Sequence, residues 1–189
     1  HAAKLSTAGR QRMSTSNKLQ AEATAIDAYT AWTDRVAVYP ITAEPYYLAL
    51  GIVDEYGEFL SAGTLLDSYK ELGDIMWYLC RYSKNVLNVD PGLAWEAAHS
   101  PTLIKYGHPK QAIAALCGIE KKRIRDGAGW SDEAKMLKHG EALRAVCNIM
   151  ESISDSLGDA SIIDVLQTNM NKLEDRKARD LIRGDGDNR

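Results

Sequence analysis

The sequence predicts an all-α chain, on three observations. No stretch alternates apolar and polar residues over a useful length, so the signature of a half-buried strand is missing. Apolar residues recur instead at helical spacing, most clearly in LALGIVDEYGEFL (48–60) and KELGDIMWYLC (70–80). Chain-breaking signals such as Pro40, Asp90-Pro91-Gly92, Asp126-Gly127 and Gly158-Asp159 fall between the periodic runs.

Each element follows from these signals. Residues 1–20 are polar and mixed, and are expected to form a flexible N-terminal segment outside the fold; a start at His1 rather than Met suggests a processed or tagged chain. The remainder, 21–189, reads as a single all-α domain. The first helix is predicted over 20–37, ending before Pro40, because the residue ahead of a proline is pushed out of the helical region. The second spans 45–62, opened by Glu44-Pro45, since proline is tolerated in a first turn, and Gly63 helps to end it. The third covers 65–87 and stops before Asp90-Pro91-Gly92, followed by a short helix over 92–99. Helices over 109–125, 131–157 and 161–180 complete the chain, with Ser131 and Ser161 as N-caps.

Composition limits the function classes. A length of 189 residues suits one domain with a sizeable core. The net charge of −3 gives no electrostatic case for polymeric nucleic acid or an anionic membrane. No run reaches the roughly 18 apolar residues that a transmembrane helix needs, and the N-terminus lacks the apolar core of a secretory signal. Cys80, Cys117 and Cys147 are odd in number, widely spaced and at apolar helical positions. They read as buried thiols of a cytoplasmic protein rather than as disulfides or zinc ligands.

The chemistry is concentrated in two acidic couplets, Glu55/Glu58 and Glu71/Asp74, each at i, i+3 spacing and separated by twelve residues. That spacing puts both carboxylates of a couplet on one helix face, and the intervening length allows an antiparallel return. The couplets abut Ile52, Val53, Tyr56 and Phe59 on one side, and Leu72, Ile75, Met76 and Leu79 on the other. Carboxylates among apolar residues are costly unless paired or metal-bound. Four converging on one place call for a hard cation, Mg²⁺ with Mn²⁺ as a substitute. Zinc chemistry is disfavoured, because HExxH is absent. A ferritin-like centre needs two ExxH motifs, and Glu96–His99 is the single match.

The order Asp54-Glu55-x-x-Glu58, then Glu71-x-x-Asp74, resembles the all-α nucleoside triphosphate pyrophosphohydrolases of the MazG-like group. AYTAWTDRVAVYP (28–40) with YYLALGIVDEYGEFL (46–60) is similar to that group's entry and first motif helices, and ELGDIMWYL (71–79) to its second. Asn169-x-x-Lys172-Leu173-x-x-Arg176 and the terminal Gly184–Arg189 segment resemble its closing segment, especially in phage-type and stand-alone members. The resemblance covers 28–90 and 161–189; it is weaker over 91–160, and Asp54 stands where the group usually has Glu. It implies a MazG-type helical bundle with extra C-terminal helices, and Mg²⁺ held by Glu55, Glu58, Glu71 and Asp74. It further implies cleavage of a (deoxy)nucleoside triphosphate at the α-phosphorus to monophosphate and pyrophosphate. A homodimer or higher oligomer, with the second and third helices near its interface, is also implied.

Among the metal ligands, Glu55 is the favoured proton acceptor. Cationic residues are expected to grip the phosphates: Lys122 and Arg125 at i, i+3, and Lys172 and Arg176 at i, i+4, with Asn169 one turn before Lys172. Two other readings stay open on the residues alone. One is a related enzyme with a different substrate, such as a guanosine tetraphosphate hydrolase. The other is a non-catalytic helical regulatory or interaction module that keeps the metal site.

Overall fold

The computed structural model describes residues 14–181; the Gly184–Arg189 segment lies outside the described residues. These form seven α-helices and no strand: α1 Thr15–Thr33, α2 Glu44–Ser61, α3 Leu65–Arg81, α4 Pro91–Ala98, α5 Pro109–Asp126, α6 Asp132–Ser156 and α7 Ile162–Ala178. The described residues are all-helical in class, as the periodicity predicts. Ser131 and Ser161 cap their helices, accepting the backbone N–H of Ala134 and Ile163, and Thr64 caps α3 through the Asp67 N–H. These caps satisfy amides that a helix start leaves without intrahelical partners.

Two sequence expectations need correction. Residues 14–20 are not a flexible leader: Ser14 caps α1, accepting the Asn17 N–H at 3.3 Å, and Leu19 packs against the core. Their polar composition hid a helix that needs only one cap and one apolar contact to extend. The third helix is also not continuous over 65–87. It ends at Arg81 and widens into a π-helical turn, Tyr82–Val86, closed by Leu87 N–H on the Tyr82 carbonyl at 3.1 Å. Asn88 then takes a left-handed backbone (φ 52°), which asparagine tolerates.

Helices α2 and α3 form an antiparallel hairpin across the short turn at 62–64. α5 packs on α2 and α6, α7 on α3 and α1, and α4 on α1 and α6. The core lies between these helices. Ile26, Leu48, Ile52, Leu72, Ile75, Met76, Leu79 and Trp95 are all almost fully buried, and burial of each such side chain contributes about 1.5–3 kcal/mol. Trp32 and Trp77 join this core, while Trp130 is half-buried beneath Arg123. Cys80 and Cys147 are buried free thiols and Cys117 is partly so.

Buried polar groups clamp the open end of the hairpin. Arg81, at the end of α3, donates to Asp34 Oδ1 (2.8 Å) and Thr33 Oγ1 (3.1 Å), and lies 3.4 Å from Glu44 at the start of α2. Tyr39 Oη donates to Glu44 and accepts from Arg81 Nε, whose guanidinium also lies over the Tyr39 and Trp77 rings. Arg81 and Glu44 are both buried, and each has several partners, which a buried charge requires.

Glycines set helix separations on both sides of α3. A Cβ at Gly51 would lie 2.2 Å from the Tyr78 ring, and one at Gly73 would lie 2.9 Å from Asn169 Cβ. The first lets α3 close on α2, the second lets α7 close on α3. Gly51→Ala and Gly73→Ala are therefore expected to destabilise the fold, since overpacking costs about 1–3 kcal/mol and outweighs the gain of about 1 kcal/mol in helix propensity. Gly140→Ala in α6, where the added Cβ meets nothing within 4 Å, should instead be stabilising. Urea midpoints check the opposite signs; a Gly73→Ala variant as stable as Gly140→Ala would show that α3 and α7 do not depend on this close approach.

Candidate metal centre

Three carboxylates from two helices meet where α2, α3 and α7 adjoin. Glu55 comes from the middle of α2, and Glu71 and Asp74 come from α3. One oxygen from each can be chosen so that all three lie within 4.8 Å of one another. Glu71 is buried, while Glu55 and Asp74 are partly exposed, so the group opens to solvent on one side. Hairpin geometry explains the convergence. With a three-residue turn at 62–64, α2 and α3 run back along each other, so positions on facing sides come into register.

Glu58 departs from the expected set of four. It is exposed and lies outside the group. Three residues turn a helix by about 300°, so Glu58 is rotated some 60° from Glu55, toward the solvent side of α2. It remains close enough for its charge to act on Glu55.

Helix α7 closes the third side. Asn169, almost fully buried, donates from Nδ2 to Asp74 Oδ1 at 2.6 Å. Its own Oδ1 accepts the Tyr29 hydroxyl of α1 at 2.7 Å, which fixes the amide orientation. Lys172, one turn further along α7, places Nζ on Asp74 Oδ2 as a close ion pair. Both Asp74 oxygens are therefore held, one by a neutral and one by a charged donor. Tyr29 gave no signal in the sequence, because a tyrosine on an apolar helix face reads as core. Burial raises its hydroxyl pKa well above the ordinary value, and this keeps it a donor.

The remaining cationic candidates divide. Arg176 lies on the same face of α7, one turn past Lys172, and is buried. Lys122 and Arg125 are not brought to the carboxylates. Cys117 Sγ lies 3.8 Å from the Ala49 carbonyl, and Glu120 accepts the hydroxyl of Tyr82, eight residues past Asp74. α5 thus runs opposite to α2, and its last turn points away from Glu55. Both residues are exposed there, and Arg125 forks onto the neighbouring Asp126 at 2.6–3.0 Å. Their expected role in gripping the phosphates of this site is corrected accordingly. His99 bonds Trp95 O (2.8 Å) and Ser154 Oγ (2.9 Å), and Glu96–His99 joins no metal-type group among the described residues.

Electrostatics single out Glu55. Burial, and then the charges of Asp74, Glu58 and Glu71, push its carboxyl from 4.5 up to about 9; Lys172 pulls the other way. At neutral pH this group retains a proton unless a cation takes the proton's place. Three carboxylates around one point, one of them held protonated chiefly by burial, form the kind of all-oxygen group that would hold a small divalent cation.

The sign of the resulting pH dependence is fixed. Glu55 binds its proton more tightly folded than unfolded, so between pH 4.5 and about 9 the unfolded chain releases it first. Stability contributed by the protonated group is full below 4.5 and is lost as pH rises through about 9. In a chelator, the melting temperature is expected to fall across this window for the native sequence and to change less for Glu55→Gln. Equal slopes in thermal melts of the two proteins would remove Glu55 as the perturbed group.

No protein-family model matches the chain, and neither a curated protein nor a solved structure does so. The carboxylates of α2 and α3, with Asn169 and Lys172 of α7, are what a functional reading rests on.

Proposed function

We propose that this chain is a divalent-cation-dependent nucleoside triphosphate pyrophosphohydrolase of the MazG-like, all-α kind, with Mg²⁺ as its natural cation and Mn²⁺ as a substitute. The observation that carries the reading is the convergence of Glu55, Glu71 and Asp74 from two helices beside the Lys172 ammonium. Oxygen donors suit Mg²⁺, a hard cation that completes its shell with water and substrate phosphate. When bound, the cation polarises a phosphoryl oxygen and makes water a better nucleophile.

The chain's own residues have separable tasks in this reading. Glu71 and Asp74, on the rigid α3, fix the position of the charge. Glu55, the member of the group contributed by α2, would accept the proton of the attacking water. Asn169, held by Tyr29, orients Asp74. Lys172 supplies positive charge for the triphosphate, while Lys122 and Arg125 play no part within one chain. Cleavage at the α-phosphorus, giving monophosphate and pyrophosphate, follows from the resemblance of the two acidic motifs.

A homodimer or higher homo-oligomer belongs to the same reading. Along α2, Tyr47, Leu50, Val53 and Leu60 are exposed, and Leu65 and Leu66 extend the apolar surface onto α3. Exposed apolar side chains concentrated on one helix pair are candidates for an interaction face.

Two measurements test the proposal. A panel of ribo- and deoxynucleoside triphosphates and guanosine tetraphosphate, assayed with Mg²⁺ for pyrophosphate release, should show turnover that disappears in chelator. Glu71→Gln and Asp74→Asn should each lower the rate by about a hundredfold or more, the scale of lost metal stabilisation, with helical circular dichroism unchanged. Full activity in either variant, or no turnover of any nucleotide, sinks the assignment. Light scattering is expected to give a multiple of the chain mass, and Leu50→Glu to reduce it; a monomer in the active preparation would remove the oligomer from the reading.

A further inference from the structure

The placement of Lys172 has a consequence for the order in which ligands reach this site. Asp74 accepts Asn169 Nδ2 on Oδ1 and Lys172 Nζ on Oδ2. The two partners differ in kind. Asn169 is neutral, almost fully buried and pinned by Tyr29, so it has no alternative position. Lys172 ends a flexible four-carbon stem and carries a charge. It lies at the margin of the group, with side chains 15% exposed for Lys172 and 14% for Asp74.

A divalent cation held by Glu55, Glu71 and Asp74 would sit close to the Lys172 ammonium, which pairs with Asp74. Two like charges within about 4 Å in a partly buried setting repel far more than water can screen. The lysine ammonium and a cation would therefore compete for the charge of Asp74, whereas the neutral Asn169 amide adds no charge repulsion. The rest of α7 need not move, because a change of the Lys172 side-chain torsions is enough to carry Nζ outward.

We propose that Lys172 is an exchange element: a divalent cation displaces its ammonium from Asp74, and the released ammonium then forms part of the anion-binding rim for the phosphate that the cation recruits. The inference rests on the metal-site reading above and adds to it an obligatory order, cation first and phosphate second. In the paired position Lys172 also offsets the crowded carboxylates, which keeps the site assembled. In the released position the same charge faces the substrate.

The test reads the lysine itself. Native protein is labelled briefly with an amine-reactive acetyl ester with and without Mg²⁺, and each lysine is quantified by peptide mass spectrometry, with Mg²⁺ binding followed in parallel by calorimetry. Acetylation of Lys172 is expected to rise several-fold on adding Mg²⁺, while that of Lys84, exposed and paired with Asp90 on another face, stays constant. Lys172→Gln should bind Mg²⁺ more tightly, on the order of tenfold for loss of one charge-assisted competitor, and should bind pyrophosphate less tightly in the presence of Mg²⁺. Calorimetric binding of Mg²⁺ with unchanged Lys172 labelling would overturn the exchange and leave the metal site standing. Absence of any Mg²⁺ binding would instead overturn the metal site, and the exchange with it.

Discussion

The crowding of like charge between α2 and α3 is the constraint around which this molecule is arranged. Glu55, Glu71 and Asp74 face one another across a hairpin packed on a largely apolar core. Left alone, such a group would push the helices apart or take up protons, and Glu55 shows the second response. Helix α7 relieves part of the charge. It sets one amide and one ammonium on Asp74, and Gly73 keeps the backbone of α3 bare where α7 must come close. α1 in turn holds the amide through Tyr29. Each layer exists to make the one inside it tolerable.

The opposite end of the hairpin has the complementary solution. Arg81 and Glu44 are buried there as a mutually neutralising pair with Tyr39, Thr33, Asp34 and Asn85 around them. At one end Arg81 joins Glu44 and Asp34; at the other, three carboxylates lie within 4.8 Å of one another beside Lys172.

Much of this was legible in the sequence. Prolines and glycines bracketed the helices correctly within a few residues, since those signals act locally through φ and the missing amide. The acidic couplets were visible because carboxylates beside Ile52 and Ile75 contradict the apolar pattern around them. What the sequence concealed was orientation. Couplet spacing alone does not say that Glu58 turns outward while Glu71 and Asp74 both turn in, because that depends on which side of α2 faces α3. Nor does a basic run such as Lys121–Arg125 reveal the direction in which its helix packs, and the antiparallel course of α5 removed two cationic candidates at once. The helical turns before residue 20 were missed for a simpler reason: one Ser14 cap outweighs a polar composition.

The relay from Tyr29 to Asn169 to Asp74 also bears on how the chain reaches its native state. Its links join residues 140 and 95 positions apart, whereas the α2–α3 hairpin closes over a three-residue turn. Local hairpins form in microseconds, while contacts of such long separation must first overcome loop-closure entropy. The hairpin therefore meets its own electrostatic repulsion before α7 arrives to offset it. Assembly of the site is therefore expected to be a late folding event, one that protonating the carboxylates would bring forward.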